Sequence, residues 1–135
     1  MNVAKIMTRD VTIVEPDEPL TKAAATMRKL DAGSLPVGEN DRLIGMLTDR
    51  DIAIRAVGAG KDPATTKVRD VMSKGIHYCF DDEDVEECAE HMAEWHVRRL
   101  PVLNRDKRLV GIVSLGDVSN ADVGASAGAL RATSR

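Results

Sequence analysis

Two hydroxyl–carboxylate pairs carry most of the chemistry this chain can offer. They are Thr48-x-x-Asp51 in GMLTDRD (45–51) and Ser114-x-x-Asp117 in GIVSLGD (111–117). Each stretch is a glycine, two apolar residues, a hydroxyl residue, two variable residues and an aspartate. The spacing is that of a helix cap, in which the hydroxyl accepts from an otherwise unpaired backbone N–H and the carboxylate sits one turn in. The same geometry suits a ligand. Where a strand ends and a helix begins, first-turn N–H groups point outward and favour an anion such as phosphate. An aspartate in that turn can accept from two neighbouring hydroxyls, as a ribose offers at O2′ and O3′. A glycine three residues before the hydroxyl lets another backbone, or a flat base, come close. Sequence alone leaves both readings, cap and ligand site, open.

Other chemistry is thinly represented. An enzyme needs a nucleophile with its base, or a metal cluster. The histidines are His77, His91 and His96. His91 and His96 are five apart, a poor fit to one helix face. His77 and Cys79 share a face if extended, but two ligands fall short of the four a closed zinc site uses. No P-loop, GxGxxG or HExxH occurs. Neither catalysis nor a bound metal is expected. Cys79 and Cys88 do not form a CxxC pair. One falls in a predicted strand and the other on the apolar face of a predicted helix, so both read as buried thiols, with a disulfide or redox pair as the alternative.

The two devices belong to a tandem duplication. An offset of 65 superimposes Val3 on Val68, Met7 on Met72, Asp17–Glu18 on Asp82–Glu83, Met27 on Met92, and LPV at 35–37 on LPV at 100–102. One extra residue in the second half then makes the offset 66, which matches Gly45 to Gly111 and Asp51 to Asp117. A single gap across a unit of this length marks an internal repeat. The repeats are placed at 1–57 and 67–120, with a Gly/Pro-containing linker at 58–66 and a tail at 121–135. The Ala, Ser and Gly of the tail show no periodic stripe, so it reads as a short helix or a disordered end.

Each repeat reads as strand, helix, strand, strand, helix. VTIV (11–14) is short and β-branched. Leu20, Ala23, Ala24, Met27 and Leu30 form one apolar stripe at helical spacing, and Val85, Cys88, Ala89, Met92 and Trp95 repeat it. Acidic residues precede both helices, where the positive helix end favours them. SLPVG and RLIGMLT then form two strands around the turn ENDR, and RLPVLN and RLVGIVS do so around RDK. VAKIM and VRDVM, at the head of each repeat, read as short docking helices. The fold class is α/β (α+β), with two β-α-β-β-α units packed as a pseudo-twofold pair. One such unit could not easily bury both faces of a three-stranded sheet, whereas two could.

At 135 residues, 43% apolar and 30% charged, the composition is that of an ordinary soluble domain with an aliphatic core. A net charge of −3 with no basic stripe or aromatic platform argues against a nucleic-acid partner. No apolar run approaches the ~20 residues of a membrane span. No signal peptide opens the chain, so the cytoplasm is the expected compartment. Ile52, Ile54, Val57 and Val118 are helix residues that one copy would leave in need of cover, which points to a homodimer.

The repeat, the LPV strand and the G-h-h-[ST]-x-x-D device resemble the CBS-domain family, named after cystathionine β-synthase. The resemblance covers the chain to about Asn120. LTDRDIAIRAVGAGKDP is similar to the small stand-alone bacterial members, including the hypoxic-response type. It implies two units packed sheet to sheet, pairs associated as dimers, and clefts between units that bind AMP, ADP, ATP, S-adenosylmethionine or NAD(H). It also implies that Asp51 and Asp117 are the ribose-binding aspartates and that Thr48 and Ser114 lie at the phosphate end. Arg98 and Arg99 match a place where some members carry phosphate-contacting basic residues; the alternative is a solvated strand edge. The first repeat has Gly33 and Ser34 there and supplies Arg50, where the second has Gly116. The function implied is a regulatory, ligand-sensing module with no named effector partner. The alternative is a structural or interaction dimer whose clefts bind nothing.

Overall fold

In the computed structural model, which describes residues 1–121, the chain divides into two units that do not follow the sequence repeat. One unit is Thr12–Ile76; the other joins Met1–Val11 to the residues from His77 onward. The head of each repeat is thus built into the opposite unit. Both heads are single 3₁₀ turns, Val3–Lys5 and Val68–Asp70.

The unit Thr12–Ile76 contains α1 (Leu20–Leu30), β1 (Ser34–Glu39), β2 (Arg42–Thr48) and α2 (Asp49–Asp51), the last running on as a π-helix (Ile52–Val57). β1 and β2 are antiparallel. Their turn residues Asn40 and Asp41 both have positive φ (54° and 63°), the requirement of a two-residue type I′ hairpin. Val14 flanks β1 through one parallel bridge to Val37, and Ser73 flanks β2 through an antiparallel bridge to Met46. Val14, Leu20, Val37, Leu47, Val68 and Val71 are buried in its core.

The other unit contains β3 (Cys79–Phe80), α3 (Val85–Trp95), β4 (Arg99–Leu103), β5 (Leu109–Ser114) and α4 (Leu115–Ala121), with strand order β3-β4-β5. β3 is parallel to β4, and β4 is antiparallel to β5. Thr8 bridges to Ile112 as Ser73 does to Met46. The inserted residue of the second repeat lies in the β4–β5 turn, where Lys107 takes positive φ (61°). There the Asn104 side chain accepts from Asp106 N and Arg108 N. Its core holds Val3, Cys79, Met92, Leu100, Val102 and Val113.

The sheets differ from the expected pattern at one strand. VTIV forms no strand; only Val14 pairs, through Val14 N to Pro36 O and Gly38 N to Val14 O, both 3.0 Å. At the matching place Cys79–Phe80 is a strand, extended by Asp81 N donating to Leu103 O at 2.9 Å. The counterpart of Asp81 is Pro16, which has no N–H to donate, so the ladder stops.

Two predicted apolar contacts also differ. Leu30 is 45% exposed, because ten residues of ~100° place it about 80° from Leu20, at the margin of the stripe. Val118 is fully buried in its own unit and needs no outside cover, whereas Ile54 and Val57 are 55% and 61% exposed.

Both cysteines are free and fully buried, with their Sγ atoms 3.9 Å apart. The hydrogen bond from the Cys88 thiol, then burial, pushes the Cys79 thiol far above its ordinary range, as expected of an unreactive core pair. The tail from residue 122 lies outside the described residues. Among the described residues, no helix is long and apolar enough to cross a membrane.

Candidate functional site

Each TxxD or SxxD device sits where the second hairpin strand ends. Thr48 closes β2 in extended conformation (φ −114°, ψ 159°), and the next residue starts α2. Its Oγ1 accepts from Asp51 N, and its N–H donates to Asp51 Oδ2, both at 3.0 Å. Ser114 and Asp117 repeat the exchange: Asp117 N donates to Ser114 Oγ at 3.1 Å and Ser114 N to Asp117 Oδ2 at 2.8 Å. Both are closed capping boxes, with an aspartate in the third helical position where Glu or Gln is more usual. In each copy the box uses Oδ2 and leaves Oδ1 outside it.

The glycine that opens each device answers to backbone packing. A Cβ at Gly45 would lie 2.8 Å from Met72 Sδ and 2.9 Å from Ser73 O. One at Gly111 would lie 2.6 Å from Met7 Sδ and 3.0 Å from Thr8 O. The neighbour admitted in both units is therefore the head of the other repeat.

The residues singled out from sequence fall into two groups. Thr48, Arg50 and Asp51 stand together in one unit; Arg98, Arg99, Ser114 and Asp117 stand together in the other. Arg99 pairs with Ser114 in the β4–β5 register, and the Arg98 carbonyl accepts from Leu115 N at 2.8 Å. Both arginines are exposed. Their counterparts Gly33 and Ser34 are placed the same way, with Asp49 N donating to Gly33 O at 2.9 Å and Ser34 paired with Thr48.

The surroundings are unequal in charge. The first device carries Asp49, whose Oδ1 accepts from Arg50 N at 2.8 Å, where the second carries Leu115. Asp51 is the one charged residue buried among those described, at 8% exposure, while Asp117 is half-buried. Two partners of Asp51 were not picked out from sequence. Ser73 Oγ donates to its Oδ1 at 3.3 Å, and Arg55 Nε lies 3.9 Å from the same oxygen.

Two small α/β units, each ending its sheet on a glycine-led capping box, define a tandem of one repeated module. The chain belongs to the CBS-domain family, whose pattern matches residues 3–58 and again 68–124. It is similar to Hypoxic response protein 1 of Mycobacterium tuberculosis, with 44% identity over 115 residues that span 84% of this chain and 80% of that one. The crystal structure of Hypoxic Response Protein I with two coordinated zinc ions superposes with a TM-score of 0.79 at 41% identity, covering 89% of this chain and 98% of that one. CBSX2 in complex with AMP superposes with a TM-score of 0.77 at 25% identity, covering 90% and 96%. The resemblance to small stand-alone members of the family therefore holds.

The zinc-bearing relative makes the donor set here worth testing. Among the described residues, no group of three or more His, Cys, Asp or Glu side chains is arranged to hold a metal ion. His77 and Cys79 do not converge. Cys79 is sealed in the core against Cys88, while His77 is exposed and stacks on Trp95 at 4.2 Å between ring centroids. His91 covers Trp95 with a second stack, at 4.5 Å. These side chains do not fit a zinc site.

Proposed function

We propose that the protein is a non-catalytic regulatory module that binds adenosine-containing ligands through its two capping boxes. Asp51 and Asp117 receive the ribose hydroxyls, and Thr48 and Ser114, which cap the same turns, lie at the phosphate end. The observation that carries this reading is the use of Oδ2 alone by the box in both units, which leaves Oδ1 as an acceptor beside a strand end. An ionised carboxylate has about four acceptor positions, so the cap does not exhaust it. The AMP-bound state of a family member with the same fold supports an adenine nucleotide such as AMP, ADP or ATP. NAD(H) and S-adenosylmethionine share the adenosine moiety.

Phosphates are assigned to Arg98 and Arg99, which stand beside Ser114 and can grip a phosphate with paired charge-assisted bonds. Arg50 is the next candidate. The two repeats are taken as 1–57 and 67–120, joined by 58–66, in a cytoplasmic homodimer covering Ile54 and Val57. Sedimentation at micromolar concentration tests the dimer, and a stable monomer refutes it.

A second reading has its own observation. The closed capping boxes account for both devices without any ligand, which fits a purely structural dimer module. Thermal unfolding with AMP, ADP, ATP, NADH and S-adenosylmethionine separates the two. A ligand at 100 times its Kd stabilises the fold by about 2.7 kcal/mol. No shift with any of the five supports the structural module.

A further inference from the structure

Asp51 is held by more than its cap. Besides Thr48 N on Oδ2, the Ser73 hydroxyl donates toward Oδ1 at 3.3 Å and Oδ2 at 3.4 Å. These distances are long for a hydroxyl donor, so the bond is bifurcated and individually weak. Arg55, one turn on, brings Nε within 3.9 Å of Oδ1. Its Nη1 meanwhile donates to the carbonyls of Val71 and Met72 at 3.3 and 3.4 Å. One guanidinium thus ties the carboxylate to the segment that carries Ser73. That segment is fixed in turn. Ser73 N donates to Met46 O at 2.8 Å, and Met46 N to Ser73 O at 2.9 Å. Met72 lies where a side chain at Gly45 would stand.

The acceptor count gives this arrangement a use. Of about four acceptor positions on an ionised carboxylate, Thr48 N takes one and the Ser73 hydroxyl one. About two remain, the number a cis-diol needs. Arg55 lies too far to donate, so it offsets charge without consuming a position. The second unit shares only part of this. Thr8 stands at the place of Ser73, but the offset of 66 puts Ala121 where Arg55 stands.

We infer that Ser73 and Arg55 are positioning residues for Asp51: they hold its carboxylate so that a diol meets two correctly aimed acceptors. The first repeat's site is thereby completed by the head of the second. This deepens the nucleoside reading and rests on it. A ribose that engages Asp51 reads whether the Val68–Asp70 turn and the residues after it are docked.

The test uses the full chain with Asp117→Asn, so that one device remains. Calorimetry with adenosine and 2′-deoxyadenosine compares this parent with added Ser73→Ala, Ser73→Thr or Arg55→Gln. Losing the weak Ser73 bond, or the charge that Arg55 sets beside Oδ1, should weaken adenosine by about three- to tenfold. 2′-Deoxyadenosine, which has no diol, should change little. Ser73→Thr should restore adenosine binding, since Thr8 already fills the matching place. A merely structural role would weaken both nucleosides by the same factor, and that result overturns the proposal.

Amide hydrogen exchange on the ligand-free protein gives an independent readout. Ser73→Ala and Arg55→Gln should speed exchange at Thr48, whose N–H rests on Asp51, and leave Ser114 in the other unit unchanged. Unchanged exchange at Thr48 overturns the positioning role. If exchange responds but neither nucleoside binds the parent, the ribose reading fails and the positioning of Asp51 stands.

Discussion

Replacing Gly45 by alanine separates a packing role for the device glycine from a ligand role. The added Cβ would stand 2.8 Å from Met72 Sδ and 2.9 Å from Ser73 O. The thioether can swing aside, because methionine is flexible. The carbonyl cannot, since Ser73 is bonded to Met46 in both directions. Overpacking of this kind costs roughly 1–3 kcal/mol. Against it stands the backbone-entropy gain of Gly→Ala, about 0.5–1 kcal/mol. The structure therefore predicts net destabilisation of roughly 0–2.5 kcal/mol, with about 1 kcal/mol at the middle of the two ranges, measured by urea unfolding followed by circular dichroism at 25 °C. Adding Met72→Ala should relieve only part of it. A ligand role makes the opposite prediction: Gly45→Ala would leave stability equal or higher and lower only the affinity for an adenosine ligand. Unfolding free energy above that of the wild type would refute the packing account.

Three further outcomes follow from the same geometry. Arg98→Gln with Arg99→Gln should weaken AMP and ATP and flatten their salt dependence while leaving adenosine nearly unchanged; an unaltered AMP-to-adenosine affinity ratio would return these arginines to a solvated edge. The two bonds from Arg105, at 2.7 and 2.8 Å, hold the Asp82 carboxyl below its ordinary value of 3.8. A depressed folded-state value gives stability that is present above 3.8 and lost as pH falls through the lower, folded value. The Tm difference between wild type and Arg105→Gln should thus be small, since the pair is exposed, level above about pH 4, and vanish at more acid pH; a difference that grew on acidification would contradict this. Trp95, the one tryptophan, lies between His77 and His91 at ring distances of 4.2 and 4.5 Å. His91→Ala should shift its emission to the red, and an unmoved spectrum would speak against the stack.

Local features were legible in the sequence, and the features that needed the tertiary fold were not. The internal repeat, both hairpins and both caps follow from patterns that neighbouring residues satisfy among themselves. The lost strand at 11–14 was legible in principle, because Pro16 stands where Asp81 donates; the β-branched run outweighed it. The exchange of the repeat heads has no local signature, since Val3 and Met7 stand at the same spacing as Val68 and Met72 and do not say on which unit each packs. Ser73 and Arg55 were missed for the same reason: they reach Asp51 only once the head of the second repeat is in place. Val118 and Leu30 mark the limit of stripe counting, which gives a direction around a helix but not where the sheet beneath it ends.

The most direct test of the central claim is calorimetry of AMP and adenosine binding to Asp51→Asn/Asp117→Asn beside the wild type. Asparagine keeps one oxygen to accept from Thr48 N or Ser114 N, so the caps and the fold should survive, as an unchanged circular dichroism spectrum would show. It loses the charge and puts a donor where the ribose needs an acceptor, and a hydrogen bond to a charged group is worth about 1.5–3 kcal/mol. The account predicts affinity lowered roughly ten- to a hundredfold for both ligands. Wild-type affinity in the double variant would contradict it and leave the two devices as helix caps alone.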